Sequence, residues 1–239
     1  MILVTGGCSF SECNFSRLAT WPKQLENIIK PIKSYHTGMG SQGNGLISRS
    51  IIYRVSELIK KESIENILVG IMWSGPSRHD FFKSGVSFKH NTERWMVNPT
   101  GFIDKDRKWI ICNPHWKNEY SVTHYKTFFD ETGAYIYTLE HILRTQWFLK
   151  SHNIKYFMTT YTGEVLTNEQ KTNKHTAHLY EQIDFEQFLP VEGEYEWCRD
   201  YTKLDFLLPN DRHPSSDQHK LFTEQVIIPF LKSKKYVNL

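Results

Sequence analysis

Three short stretches, far apart in the chain, carry side chains suited to acyl-transfer chemistry. The first is Ile2-Leu3-Val4-Thr5-Gly6-Gly7-Cys8-Ser9. Its apolar, β-branched run reads as a buried strand, and the Gly-Gly pair reads as the tight turn that ends it. In an open α/β sheet, the loop beyond the carboxyl end of a strand is where chemistry usually sits. Ser9 is therefore a candidate nucleophile, its own backbone N–H helping to hold an oxyanion. The plainer alternative is a serine that only caps the following turn.

The second stretch is Gly38-Met39-Gly40-Ser41-Gln42-Gly43-Asn44-Gly45, with four glycines in eight residues. No regular element tolerates that, so it reads as a tight loop offering backbone donors. The Gly40 N–H and the Asn44 side-chain amide are the candidate oxyanion donors. The loop lacks the lysine of a phosphate-binding loop, and it follows the second strand rather than the first, so a dinucleotide fingerprint fits poorly. A simple turn between strand and helix also accounts for it.

The third stretch is Pro209-Asn210-Asp211-Arg212-His213-Pro214. Pro214 pushes His213 out of the helical region, so the segment is extended. Residues two apart in an extended chain point to the same side, which puts the Asp211 carboxylate near the His213 imidazole. A histidine oriented by an aspartate is the general base that a serine needs.

The elements that must position these groups follow from periodicity. Strands are expected at 2–5, 33–37, 66–73 and 154–161, the third as a nearly continuous apolar run covered on both faces. Helices are expected from Trp21-Pro22 to Ile29, over 46–61, over 135–152 and over 214–231. Strand and helix alternate, which implies a parallel sheet with right-handed crossovers. Residues 162–200 are polar and ambiguous. From Ser74 to Gly133 no period is sustained. That stretch reads as an aromatic-rich lobe with a few short strands, inserted at about 75–133 into a single domain spanning 1–239, of the kind that forms lids and binding loops.

The totals narrow the function classes. A formal charge of +3 is too small to argue for nucleic acid or an anionic membrane surface. No apolar run approaches membrane-spanning length. Cys8, Cys13, Cys112 and Cys198 form no C-x-x-C pair, so neither zinc nor a redox dithiol is expected, and no cofactor is called for. The start of the chain lacks a basic leader, which gives a reducing cytoplasm as the expected location.

Together these clusters resemble the SGNH (GDSL-type) hydrolase family, which has a flavodoxin-like, three-layer α/β/α fold. Gly7-Cys8-Ser9 is similar to that family's Gly-Asp-Ser block, Gly40 to its second-block glycine, and the run to His213-Pro214 to its last block. Trp21-Pro22, the Gly-Ser-x-Gly-Asn loop and His213-Pro214-Ser215 are similar to a subgroup common among tailed bacteriophages, which would place the protein in a host cytoplasm or a virion. Three features depart from the pattern. Cys8 stands where the family has aspartate. Trp73-Ser74-Gly75-Pro76 stands where it has Gly-x-Asn-Asp, so its side-chain oxyanion donor is missing. The acid precedes the histidine by two positions, with Asn210 at the family's usual place. Asn44 is the expected substitute donor, with the Ser74 hydroxyl second. Ser74, Arg78 and Trp73 are expected to border the substrate.

The resemblance implies a serine esterase acting on a small-molecule or glycan ester, most directly an O-acyl group on a carbohydrate. Ser9 would attack, His213 take the proton and Asp211 orient it. Aromatic faces in the lobe suit sugar rings. The competing reading is a carbohydrate-binding or structural module that kept the fold without turnover. A thiol enzyme using Cys8 is disfavoured, because the residue before the nucleophile in such a turn points into the sheet.

Overall fold

The structure, a computed structural model, describes residues 1–13, 18–84, 96–97, 107–208 and 210–239. The chain opens with β1 (Ile2–Gly6), every residue of which is buried. Helix α1 (Trp21–Ile29) follows, with Pro22 in its first turn. Strand β2 (Lys33–His36), helix α2 (Asn44–Leu58) and strand β3 (Ile67–Trp73) come next. The strands pair in parallel, β1 lying between β2 and β3.

Beyond β3 the chain builds a second, antiparallel sheet in the order β4-β6-β5, from β4 (His79–Ser84), β5 (Met96–Val97) and β6 (Arg107–Cys112). Helix α3 (Glu119–Thr127) starts where the Asn118 side chain accepts from the Ser121 N–H, a donor the helix cannot satisfy itself. Helix α4 (Glu131–Ser151) is capped the same way by Asp130, through the Gly133 N–H at 2.8 Å. Strand β7 (Lys155–Thr160) then pairs parallel to β3, completing the order β2-β1-β3-β7.

The remainder is helical: α5 (Asn168–Thr172), α6 (Ala177–Tyr180), α7 (Glu194–Tyr201), α8 (Ser216–Phe222) and α9 (Ile228–Ser233). A π-helical turn, Thr223–Ile227, joins the last two. Pro229 has no N–H to give the preceding turn, and the widened turn before it absorbs that loss.

Alternation along β1 decides the layering. Ile2 and Val4 face α2 and α4, in a core with Ile47, Ile51, Val55, Leu139, Ile142 and Leu143. Leu3 faces the opposite side, with Trp21 and Leu25 of α1 and Phe222, Ile227 and Leu231 of the C-terminal helices. Helices thus cover both faces of a parallel sheet, and the protein is a three-layer α/β/α structure. Such a sheet needs mostly apolar inner strands, and β1 and β3 supply them, the one buried polar side chain, Thr5, being hydrogen-bonded to the His36 ring at 2.7 Å. At the β7 edge the Leu189 N–H donates to the Met158 carbonyl at 2.9 Å, closing part of that edge against further pairing.

The expected elements and the observed ones agree at β1, β2, β3, β7, α1, α2 and α4 within a few residues. Helix α3 was not anticipated, and residues 162–200 turn out to contain three short helices. Part of the 75–133 stretch, 85–95 and 98–106, lies outside the described residues.

Candidate active site

Ser9 opens a 3-10 turn, Ser9–Ser11, directly beyond β1. The turn is held by close packing that excludes larger residues. A Cβ on Gly7 would lie 2.3 Å from the Ser11 Oγ, and one on Gly38 would lie 2.4 Å from the Ser11 carbonyl oxygen. Ser11, fully buried, accepts at its Oγ from the Trp21 Nε1–H at 2.9 Å. The Met39 N–H donates to the Gly7 carbonyl at 3.1 Å, joining the glycine loop to the serine turn. The glycine pair and the glycine loop are therefore one packed unit at the carboxyl end of the sheet.

His213 arrives from the other end of the chain. Its Nε2 lies 2.7 Å from the Ser9 Oγ, across 204 positions of sequence. Its Nδ1 lies 2.6 Å from the Asp211 Oδ1, and the same carboxylate oxygen accepts the His213 backbone N–H at 3.1 Å. Asn210 adopts a left-handed conformation, φ 64°, and the next residue, Asp211, is the one that meets the ring. Phe10 packs against the imidazole with ring centroids 5.1 Å apart. Partial burial alone would raise the Asp211 carboxyl. The His213 ring and backbone hydrogen bonds outweigh it and hold the group below the ordinary carboxylate range.

The expected oxyanion donors are placed differently. Asn44 is buried, and its amide is committed: Nδ2 donates to the Ser74 carbonyl at 2.9 Å and the Thr138 Oγ1 at 3.1 Å, while Oδ1 accepts the Ser74 N–H at 2.7 Å. An amide with both hydrogens spent inside the protein has none for a substrate, so the expectation for Asn44 is corrected. It splices the head of α2 to the end of β3. The Gly40 N–H meets the Glu12 Oε2 at 2.7 Å, so an internal carboxylate holds the donor expected to face the oxyanion. Burial raises the Glu12 carboxyl above its usual range, and the Gly40 N–H only partly opposes that.

The three residues expected to border the substrate separate. Trp73 is fully buried and its Nε1–H donates to the Met158 Sδ at 3.3 Å, so it is core, and that expectation is also corrected. Ser74 is buried as well, and its hydroxyl accepts from the Arg78 Nη1 at 2.8 Å. The Arg78 guanidinium lies 5.2 Å over the Tyr161 ring, whose edge contacts Phe10, the residue against His213. Arg78 is thus joined to the Ser9–His213 surroundings through two aromatic rings.

Two features escaped the reading of the sequence. Glu194 and His219, both fully buried, form a pair at 2.6 Å behind Phe10, whose ring meets the His219 ring edge-on at 6.3 Å. Burial pushes the Glu194 carboxyl up against the opposing pull of His219. Asp80 of β4 accepts from the Gly43 and Leu46 N–H groups at 3.1 Å each, which closes the exposed donors at the head of α2. Burial raises its carboxyl to about 6. Among the described residues no group of three His, Cys, Asp or Glu side chains converges as a metal site would require.

No protein-family model matches the chain, and no curated protein does. Among solved structures, the chain is similar to a protein from Desulfitobacterium hafniense DCB-2 described as a lipolytic protein of the G-D-S-L family. The identity is 17%, over 93% of this chain and 95% of that one, with a TM-score of 0.45.

Proposed function

We propose that the chain is a serine hydrolase of carboxylic esters, built on the SGNH plan. The observation that carries this is the continuous line from the Ser9 Oγ through the His213 ring to the Asp211 carboxylate, at 2.7 and 2.6 Å. A serine hydroxyl is a weak nucleophile until a base at hydrogen-bond distance takes its proton. In this reading His213 Nε2 accepts that proton as the Ser9 Oγ attacks the acyl carbon. Asp211 keeps the tautomer with Nδ1 protonated and stabilises the imidazolium that forms. The imidazolium then protonates the departing alkoxide. Water, deprotonated by the same nitrogen, releases the acid from Ser9. The Ser9 N–H and the Gly40 N–H hold the oxyanion, the latter once the Glu12 carboxylate gives way.

The substrate in this reading is an O-acylated carbohydrate, supported by the aromatic lobe that follows β3. A second reading, a binding module without turnover, draws support from the committed Asn44 amide and from Glu12 on the Gly40 N–H.

A fluorophosphonate probe, followed by p-nitrophenyl acetate hydrolysis, separates the two. Labelling at Ser9, lost in His213→Ala, supports the hydrolase. Ser9→Ala and His213→Ala should each remove nearly all activity, and the double variant should cost little more, because such groups act as a unit. An unlabelled protein with no esterase activity leaves the binding module.

A further inference from the structure

Helices α2 and α4, the start of β4 and Trp109 of β6 line an open groove of about 660 Å³. That volume lies inside the range typical of small-ligand sites, roughly 300–1,000 Å³. None of Ser9, His213 and Asp211 is in its described lining. Two arginines are: Arg49 on α2 and Arg144 on α4.

The fold holds both guanidiniums in place. Arg144 donates to the Ser48 Oγ from Nε at 3.1 Å and from Nη2 at 2.9 Å. Ser48 is fully buried, and the Thr145 hydroxyl, also fully buried, lies 2.7 Å from the same oxygen. A long, rotamer-rich side chain is thereby fixed at the groove before any ligand arrives. Arg49 lies 5.3 Å over the Trp109 ring, within reach of a cation–π contact. Two like charges are thus brought to one groove. Neither forms an ion pair among the described residues. Their proximity is felt at Arg144: partial burial first, and then the Arg49 charge, hold its guanidinium below its ordinary range, with Glu140 opposing.

The other polar groups of the groove indicate what the arginines are left to bind. Asp80, the one carboxylate of the described lining, accepts the Gly43 and Leu46 N–H groups at 3.1 Å each. It occupies the donors at the head of α2, so an anion in the groove is left to the guanidiniums. Burial lowers the His79 and His141 imidazoles to about 4, so both are neutral near pH 7 and add no charge. Two guanidiniums against one carboxylate leave the described lining positive. A planar carboxylate is filled by a single guanidinium fork, whereas a phosphate monoester offers three terminal oxygens and close to two charges, enough for both arginines. The groove is also far larger than a bare ion, and the Tyr137 and Trp109 side chains line it beside the charges.

We propose that this groove binds the phosphate monoester group of a small organic molecule between Arg49 and Arg144, at a site separate from Ser9.

The test is isothermal titration of the full-length protein with phenyl phosphate, and with inorganic phosphate, phenyl sulfate and benzoate as comparisons. Phenyl phosphate should bind more tightly than the other three, and its affinity should fall as salt rises. Arg49→Gln and Arg144→Gln should each weaken it about tenfold or more, through the loss of hydrogen bonds to a charged acceptor. Ser9→Ala should leave it unchanged. Both arginines are exposed, and Arg49→Gln leaves the Ser48 contacts of Arg144 intact, so it stays informative even where Arg144→Gln loosens the α2–α4 seam. Failure of phenyl phosphate to bind, or affinity unchanged in Arg49→Gln, would overturn the proposal. So would affinity lost in Ser9→Ala, or binding of any comparison compound as tightly as phenyl phosphate.

Discussion

Asn44→Ala separates a structural amide from a catalytic one. By sequence, Asn44 was the replacement for a missing oxyanion donor. Deleting such a donor typically costs about 2.7–4 kcal/mol in the barrier, a fall of about a hundredfold or more in kcat. The structure predicts something else. The Asn44 side chain satisfies the Ser74 N–H at 2.7 Å, the Ser74 carbonyl at 2.9 Å and the Thr138 hydroxyl at 3.1 Å. All three residues are buried, with Ser74 at 0% and Thr138 at 2% exposure. Thr138 sits inside α4 and can turn its hydroxyl to the carbonyl one turn back. The two Ser74 backbone groups have no such recourse. At about 1–3 kcal/mol for each buried group left unpaired, the loss comes to about 3 kcal/mol, near the low end because water can enter the space vacated. For a chain of this length that lowers Tm by roughly 6–12 °C.

The assay pairs thermal and urea unfolding with p-nitrophenyl acetate hydrolysis well below Tm, normalised to the fluorophosphonate-reactive fraction. The expected outcome is a large fall in Tm with kcat per reactive site within about threefold of wild type. Thr138→Val, which removes one bond, should lower stability by about 1 kcal/mol. A variant that keeps its Tm while kcat falls a hundredfold would show that the amide reaches the substrate and that the assignment above is wrong.

Glu12→Ala should free the Gly40 N–H, and because a bond to a charged acceptor is worth about 1.5–3 kcal/mol, fluorophosphonate labelling should accelerate about tenfold. A slower rate would mean that Glu12 only supports the loop. Asp211 holds a lowered carboxyl, so its contribution to stability is full above the ordinary carboxylate range and is lost as pH falls through the folded value. The urea midpoints of wild type and Asp211→Asn should therefore converge as pH drops from about 7 to about 3, and a constant gap would refute the assignment. Breaking the Glu194–His219 pair on one side, with His219→Phe, should cost about 3–5 kcal/mol in urea unfolding, whereas Glu194→Leu combined with His219→Phe should recover much of it. Equal losses in both variants would count against the two side chains compensating each other's burial.

The parts of the site visible in the sequence are those set by neighbours along the chain. The run before Gly6 could hardly be other than an inner strand, and that alone puts Ser9 at the carboxyl end of the sheet. Asp211 and His213 share a side because Pro214 keeps them extended. The structure gives the His213 ring Asp211 as its partner, at 2.6 Å, and leaves Asn210 in the left-handed conformation that Asn tolerates well. What was not visible depends on partners chosen in three dimensions. Asn44 bonds residues 30 and 94 positions away, and Glu12 bonds one 28 positions away. Nothing in a linear pattern says whether a loop amide will face a substrate or a neighbouring strand.

The place of Trp73 is legible in the strand it ends. An apolar run covered on both faces already implies where its side chains go. Ile67, Val69, Ile71 and Trp73 lie on the α2–α4 side, and Leu68 and Met72 on the other. A residue still in register with a two-sided core is buried by the same argument that makes the strand. The first residue free to leave the core comes after pairing stops. Ser74 is itself held by Asn44, through both its N–H and its carbonyl, so the chain cannot turn outward there. It turns outward at Gly75-Pro76, and Arg78 is the first charged side chain beyond that turn. The strand's own logic therefore points past Trp73 and Ser74 to Arg78, the one of the three whose guanidinium lies over Tyr161, beside the ring that packs on His213.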